Sequence, residues 1–427
     1  MARKMKDSGI EWIGEIPEGW EIVPVRSCFD EVRTKNTDGQ EQNALQFKSG
    51  NIISKTNFNA SMDDYVADTI TNYTVVLPDT VMINGLNLNY DFKSLRVALV
   101  KEKGVITSAY LAIFPDRKKI FPQYATYLFK GYETKMAFHN MGAGIRKTLG
   151  YKEFKNQPLL LPSKEEQNKI SAYLDSKCSH IDIMLSKIRS SIEEYKKLKQ
   201  AVITQTVTKG VRGEREMKDS GVEWIGDIPK EWVCEKIKYA TSISRGLFNH
   251  RPRNDERYYN GKYPFIQTGD VANATKYIVS YSQTLNELGK SVSKEFPKGT
   301  LTMTIAANVG DVAILNFDAY FPDSVVGFIP NKNIRTLYLF YVFSAMKDEF
   351  TRTAIKSTQL NLNIDRVKET FIPVTLDSNE QCEIENYLES KCAEIDGLIA
   401  KKEQLAKELE SYKKSLIYEV VTGKREV

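Results

Sequence analysis

The sequence predicts a mixed α/β protein in which two α/β domains, related by a pseudo-twofold axis, are separated by a long antiparallel two-helix coiled coil. Three observations carry this expectation. A helical segment occurs twice, from Lys164 to Thr208 and from Ser378 to Thr422; a Trp-containing opener occurs twice; and between each opener and its helix lies a middle of alternating β-rich and helical runs. The order is opener, middle, helix, repeated once. It divides the chain into a domain at 1–162, a helix at 163–210, a second domain at 211–376 and a second helix at 377–427.

The openers are nearly superimposable as text. Met5 to Trp20, with Trp12-Ile13-Gly14 and Ile16-Pro17, returns as Met217 to Trp232, with Trp224-Ile225-Gly226 and Ile228-Pro229. Gly, Pro and paired Trp point to an irregular segment pinned by aromatic burial. The middles, about residues 21–160 and 233–376, resemble each other far less. In the first, Val75–Pro78, Thr80–Ile83, Leu95–Val100 and Tyr110–Phe114 read as strands and Gln123–Phe138 as a helix. In the second, Phe265–Ile266, Thr300–Ile305, Val312–Leu315 and Val325–Ile329 read as strands and Thr336–Ile355 as a helix. Each middle closes on an apolar run before Pro, Leu159-Leu160-Leu161-Pro162 and Phe371-Ile372-Pro373.

The repeated helices align without a gap through Glu166-Gln167 with Glu380-Gln381, Ser176-Lys177-Cys178 with Ser390-Lys391-Cys392, and Ile181-Asp182 with Ile395-Asp396. Leu174, Cys178, Ile181, Leu185, Ile188, Ile192, Tyr195, Lys199 and Val202 follow the 4-3-4-3 spacing of a seam that packs on another helix. The second seam is Leu388, Cys392, Ile395, Ile399, Lys402, Ala406, Leu409, Lys413 and Leu416. Gly397 falls off that seam, at a cost of roughly 1 kcal/mol against Ala. The second middle joins the end of one helix to the start of the other, so the helices run antiparallel and the chain termini meet.

Composition narrows the function. Net charge is +5, which permits a nucleic-acid partner without proving one. No apolar run approaches a membrane span, and Met1-Ala2-Arg3-Lys4 lacks the apolar core of a signal peptide, which predicts a cytoplasmic protein. Five Cys without a CxxC spacing and three His predict neither a disulfide framework nor a metal site. Gly142-Ala143-Gly144 lacks the third glycine of a dinucleotide loop, and Gly289-Lys290-Ser291 lacks the earlier glycine of a P-loop. The chain also lacks HExxH, GxSxG and the Asn/Asp-Pro-Pro-aromatic tetrapeptide of amino-methyltransferases. A non-catalytic protein is predicted.

Binding chemistry remains in the loops. Arg251, Arg253 and Arg257, with Arg245 and His250 and interleaved by Phe248, Tyr258 and Tyr259, suit phosphates and base edges. Asn84, Asn87, Asn89 and Tyr90 follow a strand of the first middle, and Asn308 follows the corresponding strand of the second; Asn can pair with adenine in the major groove. Arg146-Lys147 and Thr358-Gln359 lie in loops before the closing runs. These residues are the candidate DNA contacts. A charged solvated loop or a plain turn is the competing reading for each.

The whole pattern resembles the DNA-specificity subunit of Type I restriction-modification enzymes. The resemblance rests on the two openers, on Tyr263-Pro264-Phe265-Ile266-Gln267-Thr268-Gly269-Asp270, on Gly310-Asp311-Val312-Ala313-Ile314-Leu315 and on the Glu-Gln helices ending in Val-Thr. The first middle departs from it, with Asn89-Tyr90-Asp91 where the second has Val309-Gly310-Asp311. It implies a non-catalytic subunit with two target-recognition domains, each reading half of a bipartite double-stranded DNA site. It also implies central helices that dock two modification (methyltransferase) subunits and fix the spacer, joined by two restriction subunits where the host has them. Adenine methylation from S-adenosylmethionine, and Mg- and ATP-dependent cleavage, would belong to those partners, with no cofactor in this chain. The competing class is a two-domain protein-interaction scaffold without DNA specificity, which a salt-dependent shift of DNA mobility would distinguish.

Overall fold

The computed structural model describes residues 3–48, 50–55, 70–93, 95–144, 147–250, 253–353, 355–356 and 360–427. The organising helices are α1 (Pro122–Thr134), α2 (Lys164–Lys209), α3 (Thr336–Ala345) and α4 (Ser378–Val421). The chain forms two compact units, residues 1–189 with 403–427 and residues 190–402, so each unit holds one domain and a length of both long helices.

In the first unit an antiparallel sheet runs in the order Phe29–Glu31, Leu111–Pro115, Val81–Ile83, Val97–Leu99. The apolar face of α1 covers it, with Tyr124, Leu128, Phe129 and Tyr132 fully buried. The same core takes in Ile170, Leu174, Cys178, Ile181 and Leu185 of α2 and Leu416, Ile417, Val420 and Val421 of α4. The run Pro158–Leu161 is a strand, paired with Glu21–Pro24 just after the opener. Beginning and end of the domain are thus zipped together at the root of α2. The termini do meet: the Tyr418 hydroxyl of α4 donates to the Trp12 carbonyl of the opener at 2.8 Å.

The second unit repeats the plan on a larger scale. Its main sheet runs Thr241–Arg245, Val325–Pro330, Leu301–Thr304, Val312–Leu315, Tyr277–Ile278, and a second sheet runs Gln283–Leu285, Tyr259–Phe265, Ala319–Tyr320, Glu295–Phe296. Phe371–Val374 pairs with Val233–Lys236, as Pro158–Leu161 does in the first unit. Its core includes Ile203 and Val207 of α2 and Ile384, Leu388 and Cys392 of α4.

The helices pair antiparallel within each unit. Lys413 bonds Asp182 at 2.7 Å in the first unit, and Lys199 bonds Asp396 at 2.7 Å in the second, the same pair made twice by the duplicated sequence. Along the seam Leu174, Ile181, Leu185, Ile192, Leu388 and Ile395 are buried, while Ile188, Ile399 and Leu409 are half-buried.

Three expectations need correction. The openers are not irregular: Met5–Asp7 pairs with Glu15–Pro17, and Met217–Asp219 with Asp227–Pro229, as short antiparallel ladders. The helix read as Gln123–Phe138 stops at Thr134, and Met136 takes a left-handed φ of 53° before a 3-10 turn at Ala137–Asn140. The helix read as Thr336–Ile355 breaks after Ala345 and resumes as Lys347–Thr353. In both helices the apolar pattern continues past the break, because Ala137 and Phe138 in the first and Met346 and Phe350 in the second are still buried.

Candidate nucleic-acid interface

In the first unit, strand Val81–Ile83 delivers the chain into the loop that begins at Asn84. The Gly85 carbonyl accepts the Leu149 N–H at 2.9 Å and Leu88 donates to the Lys147 carbonyl at 3.2 Å. A Cβ on Gly85 would lie 2.5 Å from the Leu149 oxygen, so this approach requires glycine. The two loops singled out in the first middle are therefore one surface, bearing half-buried Asn84 and Asn89 with exposed Asn87, Tyr90 and Lys147. Asn87 sits at φ 52°, a left-handed conformation that Asn adopts more readily than most residues. Arg146 lies outside the described residues.

The loop is held from beneath by Arg96, whose side chain is 1% exposed. Its Nη1 donates to the carbonyls of Asn84 and Leu86, both at 2.9 Å, and its Nη2 donates to the Asp91 carbonyl and lies 3.7 Å from the Asp91 carboxylate. Burial lowers the Arg96 pKa against the pull of Asp91 and Glu133. The Glu133 carboxylate of α1 accepts the Arg96 N–H at 2.5 Å, and burial pushes that carboxyl up to about 7. Sequence reading passed over Arg96. Its signal was an arginine inside the otherwise apolar run Leu95–Val100.

The second unit builds the same arrangement from different residues. Strand Leu301–Thr304 leads into a loop in which the Thr304 carbonyl accepts the Gly310 N–H at 2.9 Å and Ala307 takes φ 62°. Asn308 is exposed at its tip. The Ile305 carbonyl accepts the Leu362 N–H at 2.8 Å, the counterpart of the Gly85 to Leu149 bond. The second hairpin is Ile355–Lys356 paired with Leu360–Asn361, matching the Ala143 to Thr148 bridge of the first unit. Thr358 and Gln359 lie outside the described residues.

The arginine loop is less open than its composition suggests. Arg257 pairs with Asp255 at 2.7 Å, and Arg253 pairs with Asp323. The Arg257 hydrogen bonds hold the Asp255 carboxyl well below the usual carboxylate range. Any phosphate reaching this loop competes with those carboxylates. Arg257 stays 76% exposed on its solvent side; Arg251 lies outside the described residues. Among the described residues no group of His, Cys, Asp and Glu is placed to hold a metal ion, and no helix is long and apolar enough to cross a membrane.

Known proteins match this architecture along nearly its whole length. The family model for the Type I restriction modification DNA specificity domain matches residues 243–409. The putative type I restriction enzyme MjaX specificity subunit of Methanocaldococcus jannaschii is 24% identical over 426 residues, covering 96% of this chain and 95% of that protein. The MjaVIII specificity subunit of the same organism is 23% identical, covering 96% of this chain and 93% of its own. A solved chain of a type I R-M system shares the fold at a TM-score of 0.70 with 15% identity, covering 96% of this chain and 99% of that one. Duplicated frames around two differing loop surfaces are thus shared, along nearly the whole chain, with specificity subunits of type I restriction enzymes, to which this chain is similar.

Proposed function

We propose that each unit reads one half of an asymmetric, bipartite double-stranded DNA site, and that the paired helices set the unread spacer and dock two modification subunits. The observation that carries this reading is the equivalence of the two loop surfaces. Both are built by a strand, a loop and a hairpin joined through the same backbone bond, yet one presents Asn84, Asn87, Asn89, Tyr90 and Lys147 and the other Asn308. Like scaffolds with unlike contact residues read unlike sequences, so the combined site is not a palindrome. The chain performs no chemistry itself. S-adenosylmethionine, ATP and Mg act on the modification and restriction partners.

Exchanging residues 21–160 for those of a related subunit, then mapping methylated adenines after co-expression with the modification subunit, tests this reading. The expected outcome is one altered half-site, with the other half and the spacer unchanged. Two half-sites changing together would overturn it.

A further inference from the structure

Tyr90, Phe92 and Leu95 leave 73%, 57% and 45% of their surfaces to solvent. Single exposed apolar side chains are ordinary. Three so close together, on a segment whose backbone is held by the buried Arg96 through the carbonyls of Asn84, Leu86 and Asp91, are not. The Phe92 ring lies nearly parallel to the His139 imidazole, with centroids 5.0 Å apart and an interplanar angle of 11°. His139 is fixed in turn, its Nε2 donating to the Asp91 carbonyl at 3.1 Å. One face of Phe92 is thereby braced while more than half of the residue stays open.

The surroundings are cationic. Lys93 and Lys147 are exposed, and Lys48 is exposed on the neighbouring hairpin, whose Gly50 would place a Cβ 3.0 Å from that of Leu95. The carboxylate between Tyr90 and Phe92, Asp91, accepts the Lys93 N–H at 3.1 Å and faces Arg96. An apolar tip with exposed lysines on its own and adjoining segments complements a nucleic-acid groove, where phosphates flank apolar base faces. The corresponding loop of the second unit, Ala306–Gly310, carries no aromatic residue.

We infer that Phe92, braced by His139 and flanked by Tyr90 and Leu95, is a wedge that stacks on a partly unstacked base step in the half-site read by the first unit. This rests on the reading that the first unit binds DNA. A ring held in place beforehand meets the base with little ordering cost of its own, and the kink it makes favours sequences that unstack easily. Specificity in this half-site then includes deformability as well as hydrogen bonds. His139 is a positioning residue.

The test uses the full chain in complex with its modification subunit and duplexes of the mapped site carrying 2-aminopurine at successive positions of the first half-site. The wild type is expected to raise emission at one step. Phe92→Ala should abolish that rise and weaken binding about ten- to a hundredfold, the range for loss of one stacked base. Phe92→Trp should restore both, and His139→Ala should fall between. A mismatch at the responsive step should tighten wild-type binding more than that of Phe92→Ala. Unchanged emission and affinity in Phe92→Ala overturns the wedge, as does a loss reproduced by replacing thymine with uracil, which would assign the ring to a thymine methyl. If exchange of residues 21–160 alters a half-site while Phe92→Ala changes nothing, only the wedge falls. If the exchange alters neither half-site, the reading beneath it falls as well.

Discussion

The Glu-Gln pair that recurs in both helices acts through two different clasps. Trp20 donates from Nε1 to Glu166 at 2.9 Å with Arg3 on the same carboxylate, and Trp232 donates to Glu380 at 2.9 Å with Arg215 at 2.6 Å. Gln167, fully buried, accepts the Phe121 N–H ahead of α1 and donates to the Lys119 and Pro162 carbonyls, while Gln381 does the same with Arg335, Asn333 and Thr375 ahead of α3. The carboxylates differ in burial, since Glu380 is 1% exposed and Glu166 24%. Glu380→Ala should therefore destabilise its unit by about 2–4 kcal/mol, leaving the Trp232 indole N–H and the Thr375 hydroxyl buried without their acceptor while Arg215 keeps Glu231 and the Lys209 carbonyl. Glu166→Ala should cost about 1–2 kcal/mol, because water reaches the gap. Amide exchange of the two openers checks the order, and reads each unit separately where one global transition would not. Glu133 supplies a pH test. Its folded pKa near 7 lies above the ordinary carboxylate value, chiefly through burial. Folding then favours its protonated form, so its contribution is present at low pH and is lost as pH rises through about 7. Protection of the amides around Arg96 should fall between about pH 4.5 and 7 and level off above that in the wild type, and stay flat in Glu133→Gln. Equal slopes in the two proteins would refute the assignment.

At the level of elements, the long helices separate packing from charge. Ile181 and Ile395 are 4% and 6% exposed, whereas Asp182 and Asp396, one residue on, are more than half exposed in their bonds to Lys413 and Lys199. Ile181→Ala or Ile395→Ala should cost about 2–4 kcal/mol, and Asp182→Ala or Asp396→Ala under about 1 kcal/mol. Denaturation midpoints at constant slope check both. Gly397 lies within α4, and a Cβ added there would meet nothing within 4 Å. Gly397→Ala should stabilise the helix by about 0.5–1 kcal/mol. These helices were legible from sequence because a seam of fixed spacing is a local pattern, and duplication repeated it. The openers were misread because three-residue strands are too short to show alternation, and their ladders rest on turns at Gly14 and Gly226. The loop surfaces were half legible. Asn84, Asn87 and Lys147 could be named from composition, but their union depends on Gly85 meeting Leu149, a contact between residues far apart in the chain. Arg96 was hidden because its role is to hold backbone carbonyls, and carbonyls leave no mark in a sequence.

For the whole molecule, the two compact units divide both helices, after Arg189 in α2 and after Lys402 in α4. These are the places where length can be added without entering either domain. Inserting one heptad after Ile188 and another after Lys402 keeps both seams in register and lengthens each helix by about 10 Å, from a rise of about 1.5 Å per residue. At about 3.4 Å per base pair that corresponds to roughly three pairs of added spacing. If each unit reads one half-site as proposed, the same change turns one of them about the duplex axis by nearly a third of a turn, so twisting of protein or DNA would offset part of the gain and weaken binding. The expected product is a methylated motif with the same two half-sites and a spacer longer by about two to three base pairs, formed less efficiently. An insertion of three or four residues in one helix alone should instead throw Ile192 and the residues after it off the seam and destabilise the protein. Mapping methylated adenines in cells carrying each insertion checks this, and a folded, active double insertion that kept the original spacer would show that something other than helix length sets the distance.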